Sequence, residues 1–159
     1  ENPGLRNSYL AAAFELRSGI PEGVAPSTLT PDVIRAMSTE LMLDFIGIRM
    51  DSRKAEDMRF TINLVTPDRG ERHLVEMSNA TLTNIQGFQA ENADLTLTID
   101  RSDLEPVILG LVSLEAQAEA GKAKLEGDAT VFGRLLSTLV EFDRTFEIMP
   151  GTKRAAAAE

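Results

Sequence analysis

The sequence predicts an α+β fold in which a five-stranded, mostly antiparallel sheet is covered by helices. Three observations carry that prediction. Short runs between residues 58 and 126 alternate apolar and polar side chains with the two-residue period of a half-buried strand. Segments on either side repeat apolar residues at helical spacing behind Ser, Thr or Asp. Their order is helix-helix, four strands, two helices, one strand, one helix, and strands gathered in this way mark α+β folds.

The elements follow from local chemistry. Asn2-Pro3 opens a helix over Leu5 to Ser18, which Gly19 and Pro21 end. Pro21, Pro26 and Pro31 make residues 21–31 a linker. Residues 1–20 are thus expected to be the terminal helix of a preceding domain, and 32–150 the main one. Thr30-Pro31-Asp32 gives a short helix its cap, its N1 proline and an acidic first turn. Ser38 or Thr39 caps a longer helix through Met50, with Leu41, Met42, Phe45, Ile46 and Ile48 on its apolar face. In the first strand Phe60, Ile62 and Leu64 alternate with Thr61 and Asn63. Pro67-Asp68-Arg69-Gly70 turns the chain back into ERHLVEMSN. ATLTNIQGF and ADLTLTID supply two more strands, the latter with Leu95, Leu97 and Ile99 on one face.

SDLEPVILG reads as a helix capped by Ser102 and ended by Gly110. SLEAQAEAG reads as another, capped by Ser113 and ended by Gly121. Lys122 to Glu126 form the fifth strand, and Gly127-Asp128 is a tight turn whose Asp caps the last helix. The low-complexity tail, 151–159, reads as an appended extension outside the fold.

Composition narrows the function classes. A chain of 159 residues can bury a sizeable core without a staple, and it has no cysteine for a disulfide or a thiolate nucleophile. Twenty-five acidic residues against 16 basic ones leave a net charge of −9, which argues against nucleic acid and against an anionic membrane surface. No run approaches the roughly 18 apolar residues of a membrane span. The chain opens on Glu1 rather than Met, as a fragment or processed product would.

Few residues invite catalysis. His73, in GERHLVE, is the lone histidine, and it reads as a strand residue rather than a metal ligand or general base. Asp100, Asp103 and Glu105 surround Ser102 at a helix start, where carboxylates are stabilised by free N–H groups; an acid–base pair is the weaker reading. Arg49, Arg53, Lys54 and Arg59 form a basic cluster at a helix C-terminus. A solvated helix end explains it, while Arg49 or Arg53 are the candidates for an anionic head group. Gly127-Asp128 lacks any surrounding phosphate-binding pattern.

The stretch ADLTLTIDRSDLEPVILGLVSLEAQAEAGKAKLEGDATVFGRLLSTL resembles the sterol-carrier-protein type 2 fold, a lipid-binding α+β domain. TPDVIRAMSTELMLDFIGIRM and LSTLVEFDRTFEIMP resemble, more closely, the C-terminal domain of bacterial alkyl sulfatases. RNSYLAAAFELRSG is similar to the last helix of the domain before it. Here the chain departs from its relatives, with Ser8 and Ala12-Ala13 where they tend to have an aromatic residue and a glycine.

The resemblance implies that sulfate-ester hydrolysis belongs to an upstream metallo-β-lactamase-like domain whose H-x-H-x-D-H pattern holds two zinc ions. One histidine cannot supply that site, so zinc is expected in the missing catalytic domain and no cofactor in this chain. What is left to this domain is to hold or deliver a hydrophobic molecule: an alkyl chain, fatty acid or sterol-like compound. The upstream catalytic domain is its other expected partner, and a periplasmic or secreted setting is implied by the family alone.

The last helix carries more apolar surface than packing on a sheet requires: Val131, Phe132, Leu135, Leu136, Leu139, Val140 and Phe142. Ordinary core, a cavity lining and a partner face are three readings of that excess. Ile108, Leu109, Leu111 and Leu114 pose the same question. With the resemblance added, the expected apolar lining is Phe45, Phe60, Ile62, Leu97, Ile108, Leu111, Phe132, Leu136 and Leu139. The competing expectation is a docking or oligomerisation module with no ligand cavity.

Overall fold

The structure, a computed structural model, describes residues 2–20, 30–142 and 147–151. Most of the expected linker and the tail from residue 152 lie outside them. The elements are α1 (Pro3–Ser18), α2 (Pro31–Ala36), α3 (Thr39–Ile48), β1 (Phe60–Thr66), β2 (Glu71–Ser78), β3 (Thr81–Gln86) and β4 (Leu95–Ile99). They continue with α4 (Arg101–Ile108), α5 (Leu114–Glu119), β5 (Ala123–Gly127) and α6 (Thr130–Ser137). Two compact units result: α1 with the residues after 141, and Thr28–Glu141.

In the first unit the Asn2 side chain caps α1 by accepting from the Gly4 N–H at 2.9 Å. Glu15 is buried on that helix. Its carboxylate accepts from the N–H groups of Ile148 (2.8 Å) and Met149 (3.1 Å), donors that replace the water it has lost.

The second unit is a sheet of order β3-β2-β1-β4-β5. Three pairings are antiparallel and one, β1 with β4, is parallel. Alternation decides which side is covered. Phe60, Ile62 and Leu64 of β1, Val75 and Met77 of β2, and Leu95, Leu97 and Ile99 of β4 are buried on one face. In-register pairs such as Ile62–Leu95 and Leu64–Leu97 align these rows across the sheet. The threonines of ADLTLTID occupy the other face and stay half-buried.

Helices α3, α4 and α6 close the apolar face with Met42, Leu43 and Ile46, with Leu104, Val107 and Ile108, and with Val131, Phe132 and Leu135. Within α3, Leu41 and Ile48, expected on the apolar face, are exposed, and Leu43 is buried in their place. Asn79 and Ala80, both with positive φ, form the two-residue turn between β2 and β3.

Two caps differ from expectation. Ser102 does not cap α4. Instead the Asp68 carboxylate, from the β1–β2 turn, accepts from the N–H groups of Arg101 (2.7 Å) and Ser102 (3.4 Å). An anion supplied from another element satisfies the free N–H groups as well as a local side chain would.

Asp128 sits one residue before the α6 cap position, which Ala129 occupies without a side-chain bond. Its carboxylate accepts from the Thr130 hydroxyl (2.6 Å) and the Thr130 N–H (2.9 Å). These bonds, the hydroxyl's first, hold the carboxyl below its usual pKa of 3.8. A lowered folded-state pKa stabilises the fold above the ordinary value, and that contribution is lost as pH falls through the lowered one. Thr130→Val should therefore raise the Asp128 midpoint toward the usual range, as read by NMR titration of its carboxyl carbon. An unchanged midpoint would remove the hydroxyl from this account.

Candidate functional site

Two spaces meet at α6. The inner one lies between the sheet and the helices, lined by Met42, Leu43 and Ile46, by Ile62, Leu64, Val75 and Leu97, and by Leu104, Ile108, Phe132 and Leu135. Its volume is about 20 Å³, room for about one water-sized group and far too little for a chain. The outer one is a groove of about 350 Å³ between α6 and the segment joining α4 to α5. It is lined by Val107, Gly110, Leu111, Val112, Ser113, Leu114, Glu115, Phe132, Gly133 and Leu136.

The groove wall is built from the end of α4. The Leu111 N–H donates to the Pro106 carbonyl at 2.9 Å, turning the chain out of the helix. The Ser113 hydroxyl oxygen then accepts from the Ala116 N–H at 3.1 Å and starts α5. Two bonds to Asp103 pin this segment: the Gln117 side chain donates to its carbonyl (2.8 Å) and Lys122 pairs with its carboxylate (2.7 Å). The wall thus presents Leu111 and Val112 to the groove while Leu114 anchors it in the core.

Four of the expected lining residues, Ile62, Leu97, Ile108 and Phe132, border the inner space. Leu111 and Leu136 border the groove, and Phe132 borders both. Phe60 is buried in neither lining, with the Arg134 guanidinium 5.6 Å above its ring. Phe45 and Leu139 pack part-buried against the core. Leu139 lies past the end of α6, where it bridges to Met50.

Polar candidates are placed elsewhere. Arg49 donates twice to the Val140 carbonyl, at 3.3 Å, and lies 5.8 Å from the Phe45 ring centre, so it ties the segment after α6 to α3. Arg53, Lys54 and Arg59 are exposed, away from the groove lining. His73 is fully buried on the core face of β2, and among the described residues neither ring nitrogen has a hydrogen-bond partner. Glu71 Oε2 lies 3.8 Å from its Nε2. Asp103 and Glu105 have separate partners, Lys122 and Arg101. Among the described residues no group of three or more His, Cys, Asp or Glu is placed to hold a metal ion. Nor, among them, is any helix long and apolar enough to cross a membrane.

Val112 and Gly133 went unnoticed in the sequence. The signal for the second was present: an isolated glycine inside a helical pattern.

The helix-covered sheet is a sterol-carrier-protein type 2-like fold. Palmitated SCP2L2 from Aedes aegypti shares it with a TM-score of 0.50 over 68% of this chain and 99% of that one, at 21% identity. Residues 27–151 match the alkyl sulfatase C-terminal family, and the chain belongs to that family. A linear primary-alkylsulfatase of a Pseudomonas species is 36% identical over 144 residues, which is 91% of this chain and 21% of that protein. An alkyl/aryl-sulfatase of Saccharomyces cerevisiae is 30% identical over 91% of this chain and 22% of its own length. The solved stereoselective inverting sec-alkylsulfatase Pisa1 from Pseudomonas superposes with a TM-score of 0.78 at 28% identity, over 87% of this chain and 22% of that one. The chain therefore spans about a fifth of the length of these relatives.

Proposed function

We propose that this chain is the non-catalytic, alkyl-chain-binding C-terminal domain of a longer alkyl sulfatase, with the hydrocarbon held in the groove beside α6. The observation that carries this reading is the groove itself, about 350 Å³ with Val, Leu and Phe side chains in its lining, on a protein whose inner space is too small for a chain. Family membership and the fold shared with a palmitated protein support it. The two-zinc hydrolysis chemistry implied by the family belongs to another part of the longer protein.

Among the described residues no cation lines the groove for a head group. Glu115 is the one charged residue of its lining, so a sulfate gains nothing there and a neutral alcohol is not repelled. The test is displacement of an apolar fluorescent dye from the 159-residue chain by straight-chain alcohols and alkyl sulfates of graded length. Each buried methylene contributes about 0.8 kcal/mol, so affinity should rise about fourfold per carbon until the groove is full. Alcohols should bind at least as tightly as sulfates of equal length. Displacement at no chain length would leave a docking module as the reading.

Leucine truncation then locates the chain. Leu136→Ala should weaken binding and cost about 1 kcal/mol or less in stability, because Leu136 is only part-buried. Leu135→Ala, with the side chain fully inside, should cost about 2–3 kcal/mol and spare binding. Equal stability losses and unchanged binding in both would place the chain elsewhere.

A further inference from the structure

Packing does not ask for a glycine at position 133. The residue lies inside α6, where glycine is less favourable than alanine. A β-carbon built there would meet no heavy atom of the surrounding structure within 4 Å. No left-handed backbone or close approach explains the absence of a side chain. What the glycine does is leave the α6 side of the groove open between Phe132 and Leu136, both of which line it.

We infer that Gly133 is the specificity-determining seat of the groove, its missing side chain letting an unbranched hydrocarbon lie directly against the α6 backbone. The inference rests on the groove being the alkyl site, and it adds which residue admits the chain. A chain seated there would run beside Phe132, which lines the groove next to Gly133. Phe132 is also the residue common to the groove and the inner space, so the chain is stopped at the core by an aromatic wall. A side chain at 133 would add to the lining of the groove and take up room beside the hydrocarbon.

The stability and binding effects of substitution therefore have opposite signs. Gly133→Ala should raise the thermal midpoint by a few degrees through helix propensity. It should also weaken decanol binding about fourfold, the equivalent of one displaced methylene. Gly133→Leu should weaken it tenfold or more while the chain stays folded. Dye displacement by decanol, paired with thermal unfolding of the same samples, reads both quantities. If the wild-type chain binds decanol and both variants bind it as tightly, the inference is overturned while the groove reading stands. If the wild-type chain binds no alcohol, both fall together.

Discussion

Replacing Arg101 by alanine is expected to lower the unfolding free energy by about 3–5 kcal/mol, measured as a shift of the urea midpoint. Arg101 is 1% exposed at the start of α4. Its Nη1 pairs with Glu105 Oε1 at 2.8 Å and its Nη2 donates to the Ile34 carbonyl at 2.9 Å, tying α4 to α2. Burial pulls its pKa down, and the Glu105 charge opposes that pull. In Arg101→Ala the Glu105 carboxylate keeps, among the described residues, Arg35, whose Nε is 3.9 Å away, while the Ile34 carbonyl loses the Arg101 donor and retains the Met37 N–H at 3.2 Å. An uncompensated buried charge dominates the loss. Arg101→Met combined with Glu105→Leu should recover most of it, because both charges then leave together. A double variant as unstable as the single one would show that the loss comes from packing.

Gly127→Ala is expected to lower stability by about 3 kcal/mol and the thermal midpoint by about 10 °C. Gly127 has a φ of +107°, and a β-carbon there would lie 2.3 Å from the Asp94 carbonyl oxygen. That oxygen accepts from the Asp128 N–H at 2.8 Å, and the Asp94 carboxylate accepts from the Thr61 N–H at 2.7 Å. One residue thus joins β1, β4 and β5, and any side chain at 127 must push β5 away from it. The same substitution six residues on, at Gly133, is expected to stabilise. The contrast isolates close approach as the cause, and equal effects at the two sites would refute it.

These two positions show what was legible in the residues. The Gly-Asp step of KLEGDATVF announces a turn into a helix. That its glycine is demanded by a carbonyl 33 residues upstream is written nowhere near it. Arg101 drew no notice, since a lone arginine between Asp100 and Ser102 reads as surface. Ser102 has the right chemistry and spacing for a cap, yet Asp68 arrives from a turn and takes that role. Of the groove, Leu111, Phe132 and Leu136 were named from apolar excess. Val112 and Gly133 were not, because one looks like loop and the other has no side chain to notice.

The sequence by itself determined the elements, their order, the buried faces of β1 and β4, and the family. Those depend on period-2 and period-3.6 patterns and on caps within a few residues, all of which are local. Only the tertiary structure decided which apolar residues are core, which line a groove, and which charges are buried. Those outcomes depend on how elements far apart in the chain approach one another: Phe132 borders a groove as well as the inner space because residues 109–113 raise a wall opposite it. Burial, and with it function, is a property of that juxtaposition.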